Sequence, residues 1–167
     1  AVTVIVTDDG NGKLVASVTY AKDNDKVDSI SFANSYKPAS VTVDVNGTKN
    51  LTGRDIKDGE FAFTLSGNGV SETVKNIGKT FTFESLTFDK EGTFVYAVTE
   101  NAGSLGGVTY DKTVYTVTVN VTDDGNGKLV ASVTYTKGGS SVDAITFNNT
   151  YKPSSVAVDV NGTKNLT

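Results

Sequence analysis

The chain has 167 residues, a net charge of −4, and no Cys, His, Met or Trp. Without thiols or imidazoles it can form no disulfide and run no cysteine or histidine catalysis, and it lacks the usual ligands of zinc, copper and haem, so no metal or other cofactor is expected. The acidic balance and absent basic patch argue against nucleic acid as a partner, and no apolar run approaches the roughly 18 residues that a membrane-spanning helix needs.

The elements follow in chain order. Residues 6–20, "VTDDGNGKLVASVTY", place a glycine-rich turn between two alternating segments, and residues 29–38, "SISFANSYKP", alternate up to a Lys-Pro. Val41, Val43 and Val45 then share one face of a strand, as do Phe61, Phe63 and Leu65 of the next. Phe94, Tyr96 and Val98 follow, then Tyr115, Val117, Val119 and Val121, then Leu129, Ala131, Val133 and Tyr135, and finally Ile145 and Phe147. Turn signals separate them at Gly67-Asn68-Gly69, Gly106-Gly107, Asp124-Gly125-Asn126-Gly127 and Gly138-Gly139. Period-two segments with such spacing, and no long amphipathic helix, predict an all-β protein: an immunoglobulin-like antiparallel β-sandwich.

The chain also repeats itself. "VTDDGNGKLVASVTY" recurs at 121–135, "YKP" at 36 and 151, and "VDVNGTKNLT" at 43 and 158, with a constant offset of 115. That period is a whole domain, too long for a solenoid unit. The expected organisation is residues 1–37 as the C-terminal part of a preceding repeat, 38–152 as a complete domain, and 153–167 as the N-terminal strand of a following repeat. The short joints, "YKPAS" and "YKPSS", predict neighbouring domains in a stiff line. The expected partners are therefore adjacent copies of the same repeat, in tandem or as a filament.

Parity singles out three polar residues. Lys49 shares the parity of Val41, Val43 and Val45, Glu100 that of Phe94, Tyr96 and Val98, and Asn149 that of Ile145 and Phe147. In regular strands all three point inward, although a bulge at Gly47 would reset Lys49. Burial lowers a lysine pKa and raises a glutamate pKa. An uncharged Lys49 amine is a nucleophile, and a protonated Glu100 that donates to the carboxamide oxygen of Asn149 can shuttle protons. Attack on the side-chain carbonyl would expel ammonia and leave a Lys–Asn isopeptide bond. Beside this stands a plainer reading: a snorkelling Lys49, a Glu100 that begins a loop, and an Asn149 that caps a turn.

Four stretches, "TKNLTGRDIKDGEFAFTL", "FTFESLTFDKEGTFVYAVTE", "YDKTVYTVTVNVTDDGNGKL" and "ITFNNTYKP", together resemble the pilin isopeptide-linkage domain of Gram-positive pilins and repetitive adhesins. In that family the lysine of a "K-x-L-x-G-R" stretch bonds to the asparagine before "T-Y", and the glutamate ending a "Y-x-x-x-E" strand catalyses the reaction. The resemblance implies Lys49 and Asn149 as the crosslink and Glu100 as the catalytic residue. Asn148 is adjacent, but the first copy has Ala33 there and keeps Asn34, which favours Asn149. Asn34 and Lys164 become orphan crosslink residues whose partners belong to repeats outside the chain.

The implied function is a structural repeat of an extracellular fibre, pilus or adhesin stalk on the bacterial cell surface, not an enzyme beyond one self-directed turnover. A host-surface ligand would be held through another domain. The alternative is a ligand-binding adhesin module that uses loops such as 101–109 on a host protein or glycan. Two weaker signals compete: a calcium site in "TDDGNGK", disfavoured because it lacks the EF-hand spacing, and a hydrolase pairing Glu100 with Glu60 or Glu91.

Overall fold

A computed structural model describes residues 1–166; residue 167, the last of the expected third segment, lies outside them. The chain divides into two compact units, Ala1–Tyr36 and Lys37–Thr167.

The first unit is a meander of β1 (Val2–Asp8), β2 (Leu14–Lys22) and β3 (Asp25–Val27), in sheet order β1-β2-β3. Within it no second sheet covers the valines of β1, so Val2, Val4 and Val6 are exposed. Residues 28–36 form no strand, and Phe32 is 88% exposed. The alternation of "SISFANSY" is therefore not expressed as a strand here. The same stretch at 145–151 is a strand because two neighbours complete its ladder, and this unit contains neither.

The second unit begins with β4 (Val41–Val43), β5 (Asn46–Thr52), β6 (Ala62–Gly67), β7 (Val70–Lys75), β8 (Thr80–Thr82) and β9 (Leu86–Phe88). It continues with β10 (Gly92–Glu100), β11 (Val108–Thr109), β12 (Val114–Asp123), β13 (Leu129–Lys137), β14 (Ser140–Val142) and β15 (Ile145–Tyr151). One sheet has the order β14-β13-β12-β10-β6-β7; a second is β11-β15-β5-β8, and β4 pairs with β9. The fold is an all-β sandwich, as its period-two pattern predicts.

Aromatic rings join the two layers. Phe63 of β6 stacks on Phe81 of β8 with centroids 3.8 Å apart, and Tyr115 of β12 meets Phe147 of β15 edge-on at 5.2 Å. Val98, Val117, Val119 and Leu65 are fully buried between them. These are the inward residues of the alternating segments, and their burial is the main stabilising contribution.

Two features of the second sheet differ from expectation. Among the described residues all other strand pairs are antiparallel, but β15 runs parallel to β5, with Phe147 opposite Lys49 and Asn149 opposite Leu51. Gly47 is no bulge: it lies in regular register within β5, between Ile145 and Phe81. Its glycine identity has another cause, since any Cβ there would collide with the Phe81 ring. Inward parity therefore runs unbroken from Val43 through Val45 and Gly47 to Lys49. Residues 153–166 repeat the sequence of β4 and β5 but form no strand, and Val156, Val158 and Val160 are exposed.

Candidate functional site

The site grows from three strands that each bring an inward polar residue to one place. Lys49 sits mid-β5, Glu100 ends β10 in the facing sheet, and Asn149 lies on β15 beside β5. Lys49 is 0% exposed and Asn149 1%, so the chain has put an amine and a carboxamide among apolar groups. Phe147 is the register neighbour of Lys49, and its Nζ lies 4.7 Å from the centroid of the Phe61 ring.

One carboxylate joins the two nitrogens. Lys49 Nζ donates to Glu100 Oε2 at 2.8 Å, and Asn149 Nδ2 donates to Glu100 Oε1 at 2.7 Å. The carboxamide oxygen is held from the other side, where the backbone N–H of Asp111 donates to Asn149 Oδ1 at 2.7 Å. An N–H can only donate, so the oxygen must face Asp111 and the NH₂ must face Glu100. This reverses the hydrogen bond anticipated from sequence, in which Glu100 donates to that oxygen.

Burial pulls the Lys49 amine below its ordinary pKa of 10.5; the hydrogen bond and charge of Glu100 oppose the shift without cancelling it. The lowered pKa makes the uncharged, nucleophilic form of the Lys49 amine easier to reach than in water.

Asn148, the neighbouring alternative, faces outward, where its Oδ1 accepts from Asn50 Nδ2 at 3.0 Å. Asn34 and Lys164 are both exposed and lie outside any strand, so the structure does not bring either into such a cluster. Glu60 is engaged by Arg54 and by the Lys57 N–H, Glu91 accepts from the Asp123 N–H, and the two Glu100 oxygens accept from Lys49 and Asn149. In "TDDGNGK", Asp123 and Asp124 accept backbone N–H groups from Gly125, Asn126 and Lys128, which makes a hairpin turn. Among the described residues no group of three or more acidic side chains is placed to hold a metal ion.

Asp111 was not singled out from sequence. It lies in "YDKT" between β11 and β12, where an Asp before Lys-Thr reads as an ordinary turn residue. Its carboxylate accepts the N–H of Thr113 and that of Asn148, each at 2.9 Å, which fastens the turn to β15.

The sequence profile of the FctA family, described as a Spy0128-like isopeptide containing domain, matches residues 1–37 and 45–152. The chain belongs to the FctA family. This FctA chain is also similar to solved pilin structures. The major pilin from Streptococcus pyogenes is 26% identical with a TM-score of 0.44, over 66% of this chain and 50% of that one. The T-13 major pilin of the same species is 23% identical with a TM-score of 0.49, over 68% and 54%. The pilus adhesin SpaC from Lactobacillus rhamnosus GG is 17% identical with a TM-score of 0.41, over 73% and 15%. The FctA chain thus spans about half the length of the major pilins it resembles. A comparison with curated protein sequences finds no match.

Proposed function

We propose that this FctA domain is a load-bearing repeat of a Gram-positive surface fibre, pilus or adhesin stalk, sealed by an intramolecular bond between Lys49 and Asn149 that Glu100 promotes. The observation that carries this reading is a single buried carboxylate in contact with both the Lys49 amine and the Asn149 carboxamide. A salt bridge with both side chains fully buried is a weak source of stability, because the desolvation cost offsets the attraction. As reactants, the three groups make sense together: proximity alone supplies about 7–11 kcal/mol of the barrier.

The bond would join β5, near the start of the domain, to β15 at its end. An amide there resists reductants, and its place between two sheets keeps proteases away. The repeated sequences flanking the domain support a stalk of like units, with partners that are further copies of the same repeat and a location outside the cell.

The test is intact mass under denaturing conditions. The FctA chain should weigh less than its sequence by the mass of one ammonia, and Lys49→Ala, Glu100→Ala or Asn149→Ala should each restore the full mass. A wild-type chain at full mass after prolonged folding sinks the proposal.

A further inference from the structure

We propose that the backbone N–H of Asp111 is the oxyanion donor for crosslinking, and that the Asp111 carboxylate is the clamp that aims it; this rests on the crosslinking role of Lys49, Glu100 and Asn149. Asn149 Cγ carries two heteroatoms, and each has its own partner. The nitrogen that must leave contacts Glu100, which also contacts the nitrogen that must arrive. The oxygen, which stays, contacts only the Asp111 N–H among the bonds described, at 2.7 Å.

The steps balance on these contacts. Glu100 takes a proton from the Lys49 ammonium, and the freed Nζ lone pair attacks Asn149 Cγ. The C=O π pair moves onto Oδ1, which becomes an oxyanion facing the Asp111 N–H. Glu100 hands its proton to Nδ2 and takes one from Nζ. The oxyanion collapses, C=O re-forms, and the Cγ–Nδ2 bond breaks with its electron pair leaving on ammonia. The ammonia accepts the last proton from Glu100 and departs as ammonium. Glu100 moves protons between the nitrogens and never needs to reach Oδ1. The charge on that oxygen therefore requires a donor elsewhere, and the Asp111 N–H already points at Oδ1 from 2.7 Å in the unreacted amide.

The donor is also fixed in place. Asp111 Oδ2 accepts the N–H of Asn148, the residue next to the reacting one, and Oδ1 accepts the N–H of Thr113. The turn cannot drift from β15 without breaking the first of these bonds. An N–H that merely satisfied a buried oxygen would contribute to stability but not to rate.

Chemically synthesised full-length chains, diluted from denaturant to start the reaction, separate these roles by the time course of ammonia loss in the mass. Replacing the Asp111 amide N–H by an ester oxygen should slow the loss by about 100-fold or more, the usual effect of one lost oxyanion donor. In a Lys49→Ala chain, which cannot react, the same ester should move the Tm by only a few degrees. Asp111→Ala, which keeps the N–H but loses the clamp, should slow the loss about 10-fold through misplacement, and Asp111→Asn should restore part of the rate. An ester chain within about 10-fold of the wild-type rate overturns the donor assignment. Should the ester prevent folding, Asp111→Ala decides: a wild-type rate overturns the proposal, and a slowed, Asn-rescued rate upholds it. A wild-type chain that never loses ammonia removes the crosslink itself and this assignment with it, a result distinct from a wild type that reacts at a rate the variants leave unchanged.

Discussion

Lys49 and Asn149 occupy the same face of adjacent parallel strands, two positions out of register, so that a diagonal of the β5–β15 ladder joins them. With strands about 4.8 Å apart and a rise of about 3.3 Å per residue, that diagonal is about 8 Å between Cα atoms. An extended lysine and a short asparagine together span it. The residue directly opposite Lys49 is Phe147, which supplies an apolar wall instead of a reactive group.

The first prediction concerns stability. By analogy with a disulfide, a tie that closes a loop of about 100 residues restricts the unfolded chain by about 4–5 kcal/mol. Asn149→Ala should therefore lower the Tm by on the order of 10–20 °C. Lys49→Ala should cost more, because it also leaves the buried Glu100 carboxylate without its cation. Scanning calorimetry on both variants, with mass spectra to confirm the absent bond, gives the comparison. A Tm equal to wild type in Asn149→Ala would refute the stabilising role.

The second concerns pH. The Lys49 pKa is lowered in the fold, so between that value and lysine's ordinary 10.5 the unfolded chain binds the extra proton. Stability from this group is thus complete above 10.5 and is lost as pH falls towards the folded value. In Asn149→Ala, where the amine stays free, stability should rise with pH over this window relative to the same chain carrying Lys49→Met. Denaturant melts of the pair at several pH values measure the difference, and a slope of opposite sign would contradict the assigned direction. A wild-type chain crosslinked at residue 49 should lack the effect, since an amide nitrogen does not titrate there.

The third concerns Gly47. A side chain there meets the Phe81 ring and comes within 3.0 Å of the Ile145 carbonyl oxygen. Gly47→Ala should destabilise the domain by about 1–3 kcal/mol and slow ammonia loss, because β5 must shift against both neighbours. Urea melts and mass time courses should move together; a melt unchanged from wild type would mean the strand accommodates the methyl group without cost.

The fourth separates stability from chemistry. Asn76 is 1% exposed; its Oδ1 accepts the Phe61 N–H at 2.8 Å, and its Nδ2 donates to the carbonyls of Lys57 and Gly78. Asn76→Ala leaves the Phe61 N–H unpaired, at a cost of about 1–3 kcal/mol. Because Asn76 makes none of the contacts among Lys49, Glu100 and Asn149, the purified variant should still lack one ammonia while unfolding at lower urea.

Much of the site was legible because strand parity is a strict code. Lys49, Glu100 and Asn149 each continue an inward series of apolar residues, and a period of two leaves no third direction for a side chain. The series through Gly47 survived because a glycine demanded by a neighbouring ring looks, in one dimension, like a glycine demanded by a bulge. Asp111 was illegible because its contribution to the site is a backbone N–H, which every residue but proline carries. The direction of the Asn149 hydrogen bonds depends on that same N–H and was missed with it. The alternation in 28–36 and 153–166 is not expressed as strands for a third reason: a strand is a property of a pair, and within the described residues these segments have no neighbours like those of 145–151 and 41–52.

The parallel run of β5 and β15 has a further consequence. The chain reaches β5 at one end of the ladder and leaves β15 at the opposite end. A pull on the segments either side of the domain therefore loads these strands lengthwise in shear, along the line of the proposed Lys49–Asn149 bond. Without that bond their rungs would have to give way all together, where an antiparallel pair held at one edge would unzip rung by rung.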